Sequence, residues 1–348
     1  MSFDALLHPT PKGLYCPPGD FYVDPVAPVA RAVVTHGHAD HARAGHDAVL
    51  ATAETIAIMG ARYGEEFTAS PQSVHYHDPV TINGVTVTLV PAGHVLGSAQ
   101  AVIEQGGTRI VVSGDYKRRR DPTCAPFEVV SCDVFISEAT FALPVFCHPD
   151  TGEEIRKLLA SVAQFPERTH IFGAYALGKA QRVIKHLREE GYDAPIYIHG
   201  ALKKLCDLYE AHGVALGPLE PATIENKGAK QDFAGKIVIA PPSAIQDLWA
   251  RRFADPLPVF ASGWMRIRQR VRQRGVELPL IISDHADWEE LTDTIREIGP
   301  KELWITHGRE DALMRWAELE GVAARPLRLR ACPICASRHH TQNNERST

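Results

Sequence analysis

Hydrophobic residues in this chain come in short runs that stop abruptly at His, Asp or Glu. Ala32-Val33-Val34 suits a buried strand and runs into Thr35-His36-Gly37-His38-Ala39-Asp40-His41. Phe21-Tyr22-Val23-Asp24 reads as a strand ending in an acid. The alternation over Val85–Val90 predicts a strand with one buried face, leading into Pro91-Ala92-Gly93-His94. Arg109 to Val112 is closed by Ser113-Gly114-Asp115, and Val134 to Ile136 by Ser137-Glu138. Further on, Leu278 to Ile282 gives way to Ser283-Asp284-His285-Ala286-Asp287, and Leu303 to Thr306 to His307-Gly308. Strand ends gathered at one edge of a sheet are where ligands converge, so the recurrence predicts a shared site.

Between these segments the texture differs. A helix is predicted over Thr52–Tyr63. From Thr151, helices and strands alternate: a helix to about Phe165 with Thr151 and Glu154 available as a capping box, a strand over Thr169–Gly173, and a helix over Gly178–Glu190. A strand over Pro195–Ile198, a helix over Ala201–His212, a strand over Lys236–Ala240 and a helix over Ser243–Ala254 follow. Repeated βα units predict a parallel sheet of their own, so residues 146–262 read as a domain inserted into a first domain of residues 1–145 and 263–330. Residues 331–348 read as a flexible tail. They contain Cys332-Pro333-Ile334-Cys335 and His339-His340, at a spacing that matches no common zinc finger.

Composition narrows the class. With 348 residues and 45% hydrophobic side chains the chain can bury a sizeable core, and a net charge of −5 excludes a globally basic nucleic-acid binder while leaving room for local basic patches. No run of 18 apolar residues offers a membrane span, and Met1-Ser2-Phe3-Asp4 does not open a secretory leader. Seven mostly dispersed cysteines suit reduced thiols, so a cytoplasmic location is expected.

The cluster at 35–41 carries the strongest chemistry. On an extended backbone His36 and His38 point the same way, and Asp40 and His41, where the chain turns, face a second point beside the first. One motif can therefore begin two metal sites. Asp24 is either an acceptor that steadies this loop or an ordinary strand-end acid.

Taken together, these motifs resemble the metallo-β-lactamase fold, and within it the β-CASP branch of nucleases. The resemblance spans nearly the whole chain. It implies an α/β fold, an αββα sandwich carrying an inserted parallel-sheet β-CASP domain. It also implies two Zn²⁺ ions, with Mn²⁺ or Fe as alternatives: His36, His38, His94 and Asp115 match the ligands of one, and Asp40, His41, Asp115 and His307 those of the other, with Asp115 bridging. Glu138 and His285 match further signature residues of the branch. Gly173-Ala174-Tyr175-Ala176-Leu177-Gly178-Lys179 and Ala261-Ser262-Gly263-Trp264 resemble the DNA crosslink-repair nucleases of the Artemis type, whereas His307 is more typical of RNA-processing members such as the polyadenylation endonuclease. The combination most resembles the bacterial ligase-associated DNA exonucleases. That implies DNA, single-stranded or end-bearing, as substrate, and a DNA ligase and a helicase as partners, with RNA processing as the alternative.

Two metals about 3.5–4 Å apart can clamp the attacking and departing oxygens of a phosphodiester. In that scheme Asp40 and Asp115 belong to the catalytic centre, and His285 is the general acid or a hydrogen-bond donor to the phosphate. Glu138 orients the His285 ring and raises its pKa. For holding substrate the candidates are Lys179, at a Gly-rich helix start, and the run from Trp264 to Gly275, where Arg266, Arg268 and Arg270 are followed by Arg272 and Arg274 without an acid. On one helix Arg266, Arg270 and Arg274 would share a face. Lys117-Arg118-Arg119-Arg120 is a second basic candidate.

Overall fold

The computed structural model describes residues 2–223, 233–245 and 247–327. The first sheet runs in chain order, β1 (His8–Thr10), β2 (Gly13–Cys16), β3 (Phe21–Val23), β4 (Arg31–Val33), β5 (His46–Thr52) and β6 (Thr68–Val74), antiparallel up to β3 and parallel beyond. Helix α1 (Ala53–Tyr63) follows β5, capped by the Thr52 hydroxyl, which accepts from the Thr55 N–H. Next come β7 (Val80–Ile82), β8 (Val85–Pro91), β9 (Ala99–Gln105), β10 (Thr108–Val112) and β11 (Val134–Ala139). These form the second sheet with two strands that arrive only after the inserted segment.

That segment opens with α2 (Thr151–Gln164), β12 (Thr169–Gly173), α3 (Lys179–Glu189), β13 (Ile196–Ile198), α4 (Gly200–Ala211) and β14 (Leu219–Pro221). It continues through β15 (Ile237–Ala240), α5 (Pro242–Ile245), β16 (Pro256–Ala261), α6 (Arg268–Gln273) and β17 (Leu278–Leu280). Its six strands are all parallel, in the order β14-β13-β15-β12-β16-β17. The chain then returns through α7 (Trp288–Ile298), β18 (Glu302–Gly308), α8 (Glu310–Leu319) and β19 (Ala323–Pro326), and β18 lies beside β11 across a span of more than 160 residues.

The layering follows from the alternation of side chains. Phe21, Val33 and Leu50 of the first sheet meet Val87, Ile103, Ile110, Ile136 and Trp304 of the second in one buried cluster. The outer face of the first sheet packs on Met59 of α1, and that of the second on Leu291, Ile295 and Leu313 of α7 and α8. The result is an αββα sandwich, as the resemblance implies. The parallel sheet is covered by α2, α3 and α4, and its cluster takes in Ile58 and Leu96 from the sandwich.

Several expectations are corrected. Strand β17 hydrogen-bonds to β16, so Leu278–Leu280 extends the inserted sheet, and the sheet topology carries that unit past residue 262 to about residue 280. The apolar run alone could not show which sheet would claim it. The expected helix over Ser243–Ala254 is only the short α5 and a 3-10 turn at Ala250–Arg252, because Trp249, Ala250 and Phe253 turn in to pack around Phe233. Asp150, rather than Thr151, caps α2, accepting from the Glu153 N–H. The arginine run is a 3-10 turn at Gly263–Arg266 and then α6, so Arg266 does not share a helix face with Arg270 and Arg274.

The two units are tied by buried cations. Arg182 of α3 donates from Nε to Asp121 Oδ2 at 2.6 Å, from Nη1 to the Ser283 carbonyl at 2.6 Å and from Nη2 to the His94 carbonyl at 3.0 Å. Removing it strands the buried Asp121 carboxylate. Arg182→Ala is therefore expected to lower stability by about 3–5 kcal/mol, seen as a fall in the denaturation midpoint; an unchanged midpoint would show that this contact does not hold the units together.

Candidate metal centre

The sequence places His36 just beyond β4, where the backbone remains extended: the Val34 N–H donates to the Leu50 carbonyl, and the Thr35 carbonyl accepts from Ala99 N–H. Gly37 follows because α1 crosses directly over it. A Cβ there would lie 2.5 Å from Ile58 Cγ2. The chain then turns, with the N–H groups of His41 and Ala42 both donating to the His38 carbonyl. His94 sits in the β8–β9 loop, where Ser98 Oγ accepts from the N–H groups of His94 and Val95. Asp115 lies beyond β10, Glu138 is the penultimate residue of β11, and His285 lies in the loop after β17.

A bulge aims His307. Strands β11 and β18 pair Glu138 with Thr306 and Ala139 with Gly308, so His307 is the extra residue, at φ 50°. Gly308 is required beside it, because a Cβ there would lie 1.9 Å from the Ala139 carbonyl oxygen.

These side chains converge, apart from Asp40. One ligand atom from each of His36, His38, His94 and Asp115 lies within 4.8 Å of all the others, and the same holds for His41, Asp115 and His307. Asp115 belongs to both groups. Its Oδ2 is 3.5 Å from His36 Nε2, 3.5 Å from His41 Nε2 and 3.8 Å from His94 Nε2. Asp40 stands at the rim, its side chain 71% exposed and its Oδ2 3.9 Å from His41 Nε2.

Hydrogen bonds on the far side of each ring decide where its lone pair points. The Asp284 carbonyl can only accept, so the His94 nitrogen 2.8 Å from it, Nδ1, carries the proton and Nε2 is left bare. By the same logic the Leu177 carbonyl, 3.3 Å from His38 Nε2, leaves His38 Nδ1 bare. Asp24 Oδ2 accepts hydrogen bonds from His41 Nδ1 at 2.7 Å and from Thr35 Oγ1 at 2.6 Å, which leaves the Thr35 oxygen to accept from His36 Nδ1 at 3.1 Å. His36 Nε2 and His41 Nε2 are then buried with no hydrogen-bond partner among the described residues, and His38 Nδ1 faces His94 Nε2 at 3.0 Å. Lone pairs so close, beside a carboxylate, fit divalent cations and little else.

Ionisation agrees with this fit. Burial, then His36, pushes His38 down to about 4 and holds His94 well below its usual range; burial, then His41, lowers His36. All three are held neutral, as ligands must be. Burial opposes charge on His41, but Asp115 and Asp24 outweigh it and raise its pKa; the same carboxylates would favour a cation in place of that proton. Burial opposes ionisation of Asp115 too, yet His41 and His285 hold its carboxyl well below the usual carboxylate range.

His285 stands beside both groups. Its Nδ1 lies 2.9 Å and 3.1 Å from the two Glu138 oxygens, and Glu138 is itself buried and accepts from the Tyr116 N–H at 2.8 Å. Burial acts against charge on the ring, but Glu138 and then Asp115 push its pKa up to about 9. The ring's other nitrogen, Nε2, is left for a cleft of about 520 Å³ whose walls include His38, Asp40, Asp115 and His285 from the sandwich and Tyr175, Leu177 and Leu205 from the inserted unit.

The basic candidates divide. Lys179 is only 3% exposed: its ammonium donates to Asp284 Oδ1 at 2.7 Å and to the Ile282 carbonyl at 3.0 Å, so it steadies the loop carrying His285 and its charge is buried against Asp284 instead of being presented to a terminal phosphate. Lys117, Arg118 and Arg119 are likewise engaged, by Glu290, Glu297 and Asp287. Arg266, Arg268 and Arg270 are exposed. Arg270 lies over the Trp264 ring at 4.3 Å; Trp264 meets Phe141 at 5.0 Å and Phe141 meets His285 at 6.2 Å, so this segment begins two rings from the centre. Cys332, Cys335, His339 and His340 lie outside the described residues. Sequence reasoning missed Thr35, Arg182 and the carbonyls of Leu177 and Asp284. Arg182, three residues after Lys179 on a helix that buries its apolar face, left a trace; a carbonyl leaves none.

No family model matches the chain. A protein named Probable DNA ligase from Opitutus terrae is 30% identical over 342 residues, covering 92% of this chain and 32% of that one. Cleavage and polyadenylation specificity factor subunit 3 of Dictyostelium discoideum is 26% identical over 393 residues, 90% of this chain and 50% of that one. The Endoribonuclease YSH1 of Gibberella zeae is 33% identical over 150 residues, 39% and 18% respectively. The chain spans half or less of the length of these relatives. A crystal structure of a protein of unknown function from Enterococcus faecalis V583 shares the fold at a TM-score of 0.57 and 13% identity, covering 87% of this chain and 80% of that one. The chain belongs to the β-CASP branch of the metallo-β-lactamase-fold nucleases.

Asp24 makes no direct contribution to either ligand group, yet it fixes the protons on Thr35 and His41. Asp24→Ala should weaken zinc binding about 10–100-fold, measured by competition with a chromophoric chelator; unchanged affinity would refute the tautomer argument.

Proposed function

We propose that the chain is a metal-dependent DNA exonuclease acting in DNA repair in the cytoplasm. The observation that carries hydrolysis is the convergence of imidazole nitrogens on Asp115, on the wall of a cleft that Arg62 also lines. DNA is favoured by the Opitutus relative, in which a stretch matching nearly all of this chain forms about a third of a protein named as a DNA ligase. That relative also supports a ligase as partner, with a helicase suggested by the resemblance to ligase-associated members. Exonucleolytic action rests on the same resemblance. The five cysteines among the described residues are all free, which suits a reducing compartment, and no helix among those residues is long and apolar enough to cross a membrane.

Zinc ions in the two groups, or Mn²⁺ or Fe in their place, would supply Lewis-acid charge and lower the pKa of the attacking water. His36, His38 and His94 would hold one ion, and His41, Asp40 and His307 the other, with Asp115 shared. The rest is done by the chain. Glu138 keeps the Nδ1 proton of His285 on its own side, so Nε2 is the atom that delivers a proton to the departing oxygen. Tyr116 N–H and the burial of Glu138 keep that carboxylate in place. Arg266, Arg268 and Arg270 would neutralise phosphates of the strand beyond Trp264.

A second reading, an RNA-processing nuclease, is favoured by the bulge that brings His307 to the centre and by the Dictyostelium relative. End-labelled DNA and RNA strands of matched sequence, digested with metal added back, separate the two: degradation of DNA from an end is expected, and RNA cut internally with DNA left intact would overturn the first reading. In the same assay Asp115→Ala should abolish cleavage and displace metal. His285→Ala is expected to lower turnover about 10²–10⁴-fold with metal content unchanged; loss of metal in that variant would make His285 a ligand rather than a proton donor.

A further inference from the structure

Two residues in the cleft are unused by the metal centre and by the arginine segment. Tyr175 is 54% exposed, and among the described residues it is the only large exposed apolar side chain that lines this cleft. Its exposure does not come from a loose loop. Ala174 and Leu177 on either side are buried, the Tyr175 carbonyl accepts from the Ala180 N–H at 3.1 Å, and Gln181 closes the turn by bonding Gly178 N–H and the Ala176 carbonyl. The same turn supplies the carbonyl that orients His38. The ring therefore stands on a rigid support beside the ligands, and its hydroxyl makes no hydrogen bond among the described residues.

Arg62, from the last turn of α1, lines the same cleft. Its Nη1 donates to the Gly37 carbonyl at 2.6 Å, which fixes the guanidinium against the ligand loop and leaves its other N–H groups for the cleft. It is the only ammonium or guanidinium lining that cleft among the described residues; the other charged groups there are Asp40, Asp115 and Asp284, besides the histidines. A flat ring with an open face and a tethered cation beside a phosphodiester-cleaving centre match the two halves of a nucleotide, base and phosphate.

We infer that Tyr175 and Arg62 form a nucleotide subsite, in which Tyr175 stacks on the base next to the scissile phosphate and Arg62 holds an adjoining phosphate. This rests on the nuclease reading. In a duplex each base is already covered on both faces, so the subsite takes an unpaired nucleotide and makes the enzyme act on single strands or frayed ends. Stacking is tolerant of base identity, because every base has a π-face. Tyr175 is thus a positioning residue that confers strand state without sequence.

The test pairs the protein with the substrate. Steady-state cleavage of single-stranded oligonucleotides is measured for the metal-loaded wild type, Tyr175→Ala and Tyr175→Phe, each on a normal strand and on one with an abasic nucleotide stepped through the positions flanking the cut. Tyr175→Ala should raise KM about tenfold, in the range that loss of one stacked base gives, while Tyr175→Phe stays near wild type. At one flanking position the abasic strand should cost wild type the same factor and cost Tyr175→Ala nothing more. Wild type should also quench 2-aminopurine at that position on mixing, before cleavage, and Tyr175→Ala should not. Arg62→Gln should reduce the salt dependence of KM. If oligonucleotides are cleaved but abasic sites are without effect at every position, or Tyr175→Ala quenches as wild type does, the subsite is refuted and the nuclease reading stands. If wild type cleaves neither oligonucleotides nor bis(p-nitrophenyl) phosphate, the nuclease reading fails and takes the subsite with it.

Discussion

Four imidazole lone pairs and a carboxylate cannot share one dry space without positive charge among them, and most of the first domain is arranged to force them into it. Burial disfavours charge on the rings, but crowding alone would push the histidines apart or leave their N–H groups facing inward. What prevents this is a ring of acceptors behind them: Asp24, Thr35 and two backbone carbonyls each accept from the outward-facing N–H, so the inward-facing nitrogens of His36, His38 and His94 stay bare and that of His41 holds a proton a cation would replace. The demand for cations is thus written into hydrogen bonds several ångströms from where the ions would sit.

That arrangement explains why the inserted domain is more than a clamp laid over a finished site. Leu177 lends the carbonyl that sets the His38 tautomer, Lys179 bonds the loop that carries His285, and Arg182 holds the carbonyls of His94 and Ser283. Both cations are buried, and their charge is matched by Asp284 and Asp121 from the other unit. A buried ion pair across two units is weak as net attraction but strict in geometry, since separating the partners exposes each to an unpaired burial. The cleft between the units is accordingly built with the ligands fixed on one wall and the Tyr175 turn fixed on the other.

The candidate site was legible in the sequence to the depth at which side-chain type and local spacing carry the information. His36 to His41, His94, Asp115, Glu138, His285 and His307 each interrupt a hydrophobic run, because a buried strand must leave the core where a polar ligand is needed, and such an exit shows in one dimension. The alternation along β8 showed a strand with one buried face, whereas the αββα layering was implied only by the resemblance of the motifs to the metallo-β-lactamase fold. Lys179 was misread because a lysine at a helix start looks the same whether its ammonium meets a phosphate or a buried aspartate.

What only the tertiary structure decided is everything set by partners distant in sequence. Whether Leu278–Leu280 belongs to one sheet or the other depends on which edge strand is free to pair with it, and β16 is. The bulge that turns His307 toward the centre exists only because β18 is matched against β11. The protons that leave the histidines ready for metal are placed by backbone carbonyls, which every residue carries alike and no sequence pattern can distinguish. The sequence by itself determined which atoms could bind and roughly where along the chain they lie; folding determined which way each one faces, because direction comes from contacts and not from composition.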